Sequence, residues 1–271
     1  MSEVRFRDLH AAAGSPQPVA SLLDAIVADP APRVAGRPRT IGVMVSSADG
    51  RATVEGGASG LGGPEDRAVF RGVRERADAL LVGPSTLNRE RYATVLDEDQ
   101  RERRRAAGRP PEPLLATISR SFGLDADVPI LHEPEARVVV YGEREPPPAL
   151  AAAPVEVVQL ERADPAAALA DLDRRGIELL ACEGGPTLLA GLIRDGLLDE
   201  VLLTVSPLLV GGLDPLTILD GPIGPRSGSA GPTAPSDPVP PVAPVTLQVR
   251  GLWQAADVLF LHYHLTDGSP Q

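Results

Sequence analysis

The chain has 271 residues, of which 43% are hydrophobic, and a net charge of -11. That length and apolar share fit one substantial α/β domain with a packed core. The acidic balance argues against a nucleic-acid binder, which needs clustered cations. No apolar run spans a bilayer and the opening residues lack a signal-peptide pattern, so a cytoplasmic protein is expected.

All 26 basic residues are arginine. Without lysine there is no pyridoxal Schiff base, no Walker-A lysine and no lysine nucleophile. The single cysteine, Cys182, excludes an intramolecular disulfide and a cysteine-based zinc cluster. The four histidines are scattered, and no zinc-deaminase pattern is present. His262 and His264 share one face of a predicted strand, but two histidines are not a site, and no metal is expected. What remains is chemistry that a bound cofactor supplies.

In chain order, residues 1–38 read as an N-terminal arm with a short helix at 21–28. Residues 39–271 read as the main domain. Its first strand, 40–47, ends at the turn signal Asp49-Gly50. A helix over 64–77 opens on Pro64, Glu65 and Asp66 and carries the apolar stripe Val69, Phe70, Val73 and Ala77. A strand at 79–82 follows, and the charged stretch 97–105 reads as a solvated helix or loop. Strands are expected at 114–118, 137–141 and 155–160. Asp164 caps a helix that buries Ala168, Leu169 and Leu172. The strand at 177–182 feeds a helix with Leu188, Leu189, Leu192 and Ile193 inward, and another strand lies at 200–206. Residues 221–244 are rich in Pro, Gly and Ser and read as a mobile loop. Strands at 245–250 and 258–265 would close the sheet as an antiparallel hairpin. The fold class is α/β, with a mostly parallel central sheet and helices on both faces.

Three strand ends deliver glycine or small polar residues: Ser46 to Gly50, Gly83-Pro84-Ser85-Thr86, and Glu183-Gly184-Gly185-Pro186-Thr187. Ligands of parallel α/β sheets bind at the carboxyl ends of strands. The second and third segments each enter a helix, where free N–H groups favour phosphate. Thr86 and Thr187 add hydroxyl donors. Two such elements suit the pyrophosphate of a dinucleotide, although G-x-G-x-x-G is absent after any strand.

The ordered runs V-S-S-A-D-G-R, L-V-G-P-S-T, C-E-G-G-P-T-L-L and L-T-V-S-P-L-L-V-G-G resemble the reductase domain of bifunctional riboflavin-biosynthesis deaminase-reductases. With L-G-G-P-E-D-R opening the first long helix, the chain looks most like the stand-alone actinobacterial pyrimidine reductases, over about residues 39–265. The resemblance implies a dihydrofolate-reductase-like fold, NADPH as cofactor and a homodimer. It puts cofactor contacts on Thr53, Leu61, Thr86, Glu90, Ser119 and the helix start at 185–191, which includes Gly185, Pro186, Thr187 and Leu188; Gly83, Ser85 and Gly184 join them from the turn motifs. Substrate contacts fall on Ser59, Arg74 and Glu183. Glu90 stands where the family more often has Asp, and the family's following Pro and downstream Arg are absent, leaving Arg91 as the substitute near the substrate phosphate. Ser119-Arg120 ends a strand, as a Ser-Arg pair does in dihydrofolate reductases, where it holds the adenosine 2′-phosphate.

The implied reaction is hydride transfer to a C=N carbon, converting a ribosylamino group to a ribitylamino one on a 5-amino-6-ribosylaminouracil phosphate type of substrate. Asp49 and Glu183 are the candidate acids, water is the third, and Asp49 also reads as a turn residue bonding its own backbone. The rival readings are reduction of a pterin or another imine, with Asp66 or Glu75 as the helix carboxylate, and a catalytically silent NADPH-binding protein. The apolar strand at 201–205 is the expected interface edge.

Overall fold

The computed structural model describes residues 4–9, 15–28, 30–58, 60–212, 216–221, 223 and 244–266. Short strands β1 (Arg5–Asp8) and β2 (Gln17–Pro18) precede helix α1 (Val19–Ala28) and the long strand β3 (Arg39–Ser47). Then come α2 (Pro64–Arg76), β4 (Ala79–Leu81), α3 (Pro84–Glu90), α4 (Glu98–Ala106), β5 (Leu114–Ile118), β6 (Arg137–Gly142), α5 (Pro148–Ala151) and β7 (Glu156–Gln159). The chain continues through α6 (Pro165–Arg174), β8 (Leu179–Cys182), α7 (Pro186–Arg194) and β9 (Glu200–Ser206) to β10 (Thr246–Ala255) and β11 (Val258–Thr266).

Among the described residues the strands form one sheet in the order β2-β1-β10-β11-β9-β3-β8-β4-β5-β6-β7. From β9 to β7 every neighbour is parallel, and β11, β10, β1 and β2 extend it antiparallel. This is the expected α/β class with its C-terminal hairpin. Alternation along the strands sorts side chains into two cores. Leu80, Leu115, Val138, Val140 and Ala181 face α1 and α2, meeting Leu22, Leu23, Val69 and Val73. Ala79, Leu81, Val139, Tyr141, Leu180 and Cys182 face α6 and α7, meeting Leu169, Leu172, Leu189 and Leu192. The segment before residue 39 supplies Phe6, Leu22, Leu23 and Ile26 to the first core.

The sheet order also dictates where a site can sit. β3 passes through α2 to β4, toward the β7 edge, while β8 passes through α7 to β9 in the opposite direction. Right-handed crossovers running opposite ways must cover opposite faces, so α2 and α7 part at the carboxyl ends of β3 and β8.

Two expectations change. The charged stretch at 97–105 is a docked helix, not a solvated one: Asp97 and Gln100 form a reciprocal cap, and Gln100 and Arg104 are buried. Arg104 Nη1 donates to the carbonyls of Glu75 and Ala77, both at 2.7 Å, closing the C-terminal end of α2. Burial and the nearby Arg109 charge lower Arg104 only to about 10, so it stays a cation at neutral pH. Strand β9, expected as an interface edge at 201–205, is internal, paired with β3 and β11 on its two sides. The loop at 221–244 lies almost wholly outside the described residues. No described helix is long and apolar enough to cross a membrane.

Candidate active site

The parting crossovers leave a cleft of about 370 Å³. Its lining comes from Val43, Met44 and Val45 of β3, Thr53 beyond the turn, Asp66, Arg67, Phe70 and Arg74 of α2, Thr86, Arg89 and Glu90 of α3, Tyr92, and Glu183, Gly185 and Pro186 after β8. The fold thus gathers Thr53, Arg74, Thr86, Glu90, Glu183, Gly185 and Pro186 from segments far apart in sequence.

Arg74 and Glu183 form a forked pair, Nε to Oε1 at 2.6 Å and Nη2 to Oε2 at 2.7 Å. The Tyr92 hydroxyl donates to Glu183 Oε2 at 3.0 Å, and the Arg74 guanidinium lies over the Phe70 and Tyr92 rings, 4.2 and 5.0 Å from their centroids. Burial works to lower Arg74, but the Glu183 charge and hydrogen bonds outweigh it and the net shift is upward. Tyr92 is raised first by burial and then by the Glu183 charge, so the phenol keeps its proton. Nothing local in the sequence marks Phe70 or Tyr92 as members of this cluster, since each is a lone aromatic on an apolar face or after a helix.

Opposite this pair the backbone is bare. Gly83 N donates to Gly184 O at 2.7 Å, Gly184 has φ +87°, and a cis peptide joins it to Gly185. A Cβ on Gly83 would lie 3.2 Å from Gly185 N, so the two turns approach as only glycine allows. Gly185 is the N-cap of α7, Pro186 after it has no N–H, and no side chain caps that helix, which leaves the Thr187 and Leu188 N–H groups for a ligand. The Thr86 hydroxyl sits 3.3 Å from where a Gly185 Cβ would be. These features fit the phosphates of a dinucleotide. One strand farther on, Ser119 Oγ accepts from Gly123 N at 2.9 Å and shapes the turn that carries the exposed Arg120.

Other expected site residues lie elsewhere. The Ser47 hydroxyl donates to Asp49, as do the backbone N–H groups of Val210 (3.1 Å) and Gly211 (2.8 Å). Those bonds hold Asp49 well below the usual carboxylate range. Asp49 is therefore a clasp between the turn after β3 and the segment after β9, and a poor proton donor. Arg91, expected near the substrate phosphate, caps α3 in the left-handed region and turns its guanidinium onto Asp127, with Nη1 3.0 Å from Oδ1. It does not line the cleft; Arg89 does. Leu61 is buried and its carbonyl accepts from Ser206 Oγ at 2.8 Å. Ser85 is exposed, Leu188 packs against the second core, and Thr187 Oγ1 donates to Asp220 Oδ2 at 3.1 Å. Ser59 lies outside the described residues.

His262 and His264 converge with Glu200 in a buried group whose ligand atoms lie within 4.8 Å of one another. Glu200 already accepts from Arg39, from Ala31 N (2.7 Å) and from His262 Nε2 (2.7 Å). The Arg39 guanidinium thus fills the place of a cation at the amino ends of β3 and β9, away from the cleft.

Residues 38–226 match the RibD C-terminal domain. Two curated relatives are 2,5-diamino-6-ribosylamino-4(3H)-pyrimidinone 5′-phosphate reductases. That of Archaeoglobus fulgidus is 33% identical over 163 residues, 58% of this chain and 74% of the relative. That of Methanothermobacter thermautotrophicus is 30% identical over 191 residues, 68% and 85%. Among solved structures, a pyrimidine reductase-like protein from Corynebacterium diphtheriae superposes with a TM-score of 0.65 at 22% identity, covering 85% of this chain and 93% of the other. A deaminase/5-amino-6-(5-phosphoribosylamino)uracil reductase from Thermotoga maritima gives 0.62 at 20% identity, covering 85% and 57%; both show a shared fold. Since the matched span runs from the start of β3 past the end of β9 and holds the whole cleft, the chain belongs to the RibD C-terminal domain family.

Proposed function

We propose that this chain is an NADPH-dependent reductase acting on a ribosylamino-pyrimidine phosphate in riboflavin biosynthesis, as a cytoplasmic homodimer. The observation that carries this reading is the cleft itself: a buried, forked Arg74–Glu183 pair and a glycine turn line one cavity. The relatives named above act on such a substrate.

Gly83, Thr86, Gly184, Gly185 and the start of α7 would hold the dinucleotide, with Arg120 on the adenosine phosphate. When bound, NADPH supplies a hydride. The chain's own residues orient the acceptor. Arg74 and Glu183 present fixed donors and acceptors to ring and ribose, and Phe70 and Tyr92 give the ring an apolar surface. Pairing of Arg74 with Glu183 keeps either charge from standing alone in a half-dry cleft.

The homodimer rests on a second surface. On β9, β10 and β11, Leu203, Val205, Leu247, Val249, Leu252, Leu259, Leu261 and Tyr263 share the face opposite Trp253, Phe260 and His262. Leu247, Val249 and Leu259 are 43%, 44% and 36% exposed, so the β10–β11 part of this face presents apolar side chains to solvent.

The test of function is turnover by purified protein of a ribosylamino-pyrimidine phosphate, against dihydropterin as control, with NADPH and NADH compared. Loss of reduced-nicotinamide absorbance with the pyrimidine and NADPH is expected. Turnover of the pterin alone, or none at all, overturns the reading.

A further inference from the structure

Reduction of a C=N bond needs a proton at nitrogen as well as a hydride at carbon, and most acids near the cleft are committed elsewhere. Glu183 has both oxygens bound by Arg74 and Tyr92. Asp49 is clasped by three donors and does not line the cavity. Glu90 is exposed, 3.7 Å from Arg89. Tyr92 gives its hydrogen bond to Glu183.

Asp66 is different. It lines the cleft from the first turn of α2, on the same helix as Arg74 and two turns before it. Space is reserved for it: a Cβ on Gly62 would come within 2.4 Å of Asp66 Oδ2, so glycine there is what lets the carboxyl stand where it does. The polar side chain on β9 that favours its charged form is the Thr204 hydroxyl, a neutral group. Its helix neighbour Arg67 turns Nη1 to the Gly62 carbonyl at 3.3 Å. The charged and titratable groups around the same cavity are Arg67, Arg74 and Glu183, Arg89 and Glu90, and the Tyr92 phenol.

We propose that Asp66 is the acid of the reaction, giving its carboxyl proton to the imine nitrogen of the bound substrate. This rests on the reductase reading above. Opening the ribosylamine ring moves the N–H proton to the ring oxygen and leaves a C=N bond. The carbon then gains the hydride, the π pair of the C=N bond moves to nitrogen, and nitrogen takes the proton from Asp66. The carboxylate left behind is reloaded from water. Burial favours the loaded form: it raises the Asp66 carboxyl above its ordinary value, with the Thr204 bond and the Arg67 charge only partly offsetting it. That is the direction a general acid needs.

The experiment compares wild type, Asp66→Asn and Thr204→Val in two measurements. In cofactor-free protein, a 13C-aspartate NMR titration should show one carboxyl titrating above the ordinary range. Asparagine should abolish it, and valine, which removes a bond to the charged form, should move it higher. In turnover of the pyrimidine with NADPH, Asp66→Asn should lower kcat about a hundred-fold or more, with KM and NADPH affinity nearly unchanged, and should lose the alkaline limb of the kcat profile. Thr204→Val should shift that limb upward. If the asparagine variant fails to fold, the valine shift alone decides the matter. Asparagine turnover within threefold of wild type, or an alkaline limb unmoved by valine, overturns the role of Asp66. No wild-type turnover of the pyrimidine would instead overturn the reductase reading itself.

Discussion

Arg91 and Arg120 follow similar signals in the sequence, yet the fold gives them opposite fates. Arg91 spends its guanidinium on Asp127, whereas Arg120 is exposed and makes no ion pair among the described residues. An unpaired guanidinium suits a phosphate dianion, and a charge-assisted contact is worth about 1.5–3 kcal/mol. Arg120→Ala should therefore weaken NADPH by about ten- to a hundred-fold and leave NADH unaffected, as fluorescence titration of both cofactors would show. Equal affinity of wild type for the two cofactors would remove the basis for this assignment. Thr86 and Glu183 follow strand ends that their motifs mark, Arg74 on α2 was assigned by the family resemblance alone, and all three line the cleft. Residue types could not carry Arg91 correctly. Its direction is set by a left-handed cap and by an aspartate 36 residues away, and neither is encoded in its own neighbourhood. Cys182, read as a packing residue, is buried, and burial pushes its thiol up to about 12.

At the scale of elements, the strands were legible because short continuous apolar runs bounded by turn residues mark β3, β5, β6, β8 and β9, as buried parallel strands do. Helix α4 was not. Its face is charged rather than apolar, and it docks by burying a guanidinium on the open carbonyls of α2, a device that hydrophobic periodicity cannot register. The glycine turn was legible in kind but not in detail. Backbone strain belongs to Gly184, with φ +87°, while Gly185 has an ordinary φ of -75°. That difference separates folding from binding. A side chain at 185 keeps allowed angles and its Cβ meets only the Thr86 hydroxyl, at 3.3 Å, so Gly185→Val should fold, with a melting temperature close to wild type, and lose NADPH binding. Calorimetric titration beside a thermal melt decides it: retained binding in a folded variant would mean that the cradle holds no phosphate.

The whole molecule is one sheet whose two ends differ. Its parallel end is covered on both faces, while Leu247, Val249 and Leu259 leave exposed apolar side chains on one face of β10 and β11. The sequence marks residues 201–205 as apolar but not as internal, since strand order is a long-range property. If copies of the chain meet on the exposed face of β10 and β11, Val249→Arg should convert a dimer to a monomer in sedimentation, because a guanidinium cannot be buried unpaired between two sheets. An unchanged sedimentation coefficient would place the contact elsewhere.

The clasp at Asp49 also bears on how turnover can be measured. Asp49 and Asp66 start from the same ordinary value and move in opposite directions, one down through its three donors, the other up through burial. Over any range in which Asp66 gives up its proton, Asp49 stays ionised, and the segment after β9 stays fastened to the turn after β3. Across that range the Asp49 clasp stays closed, so the alkaline limb of a rate profile counts protons delivered rather than that loop released.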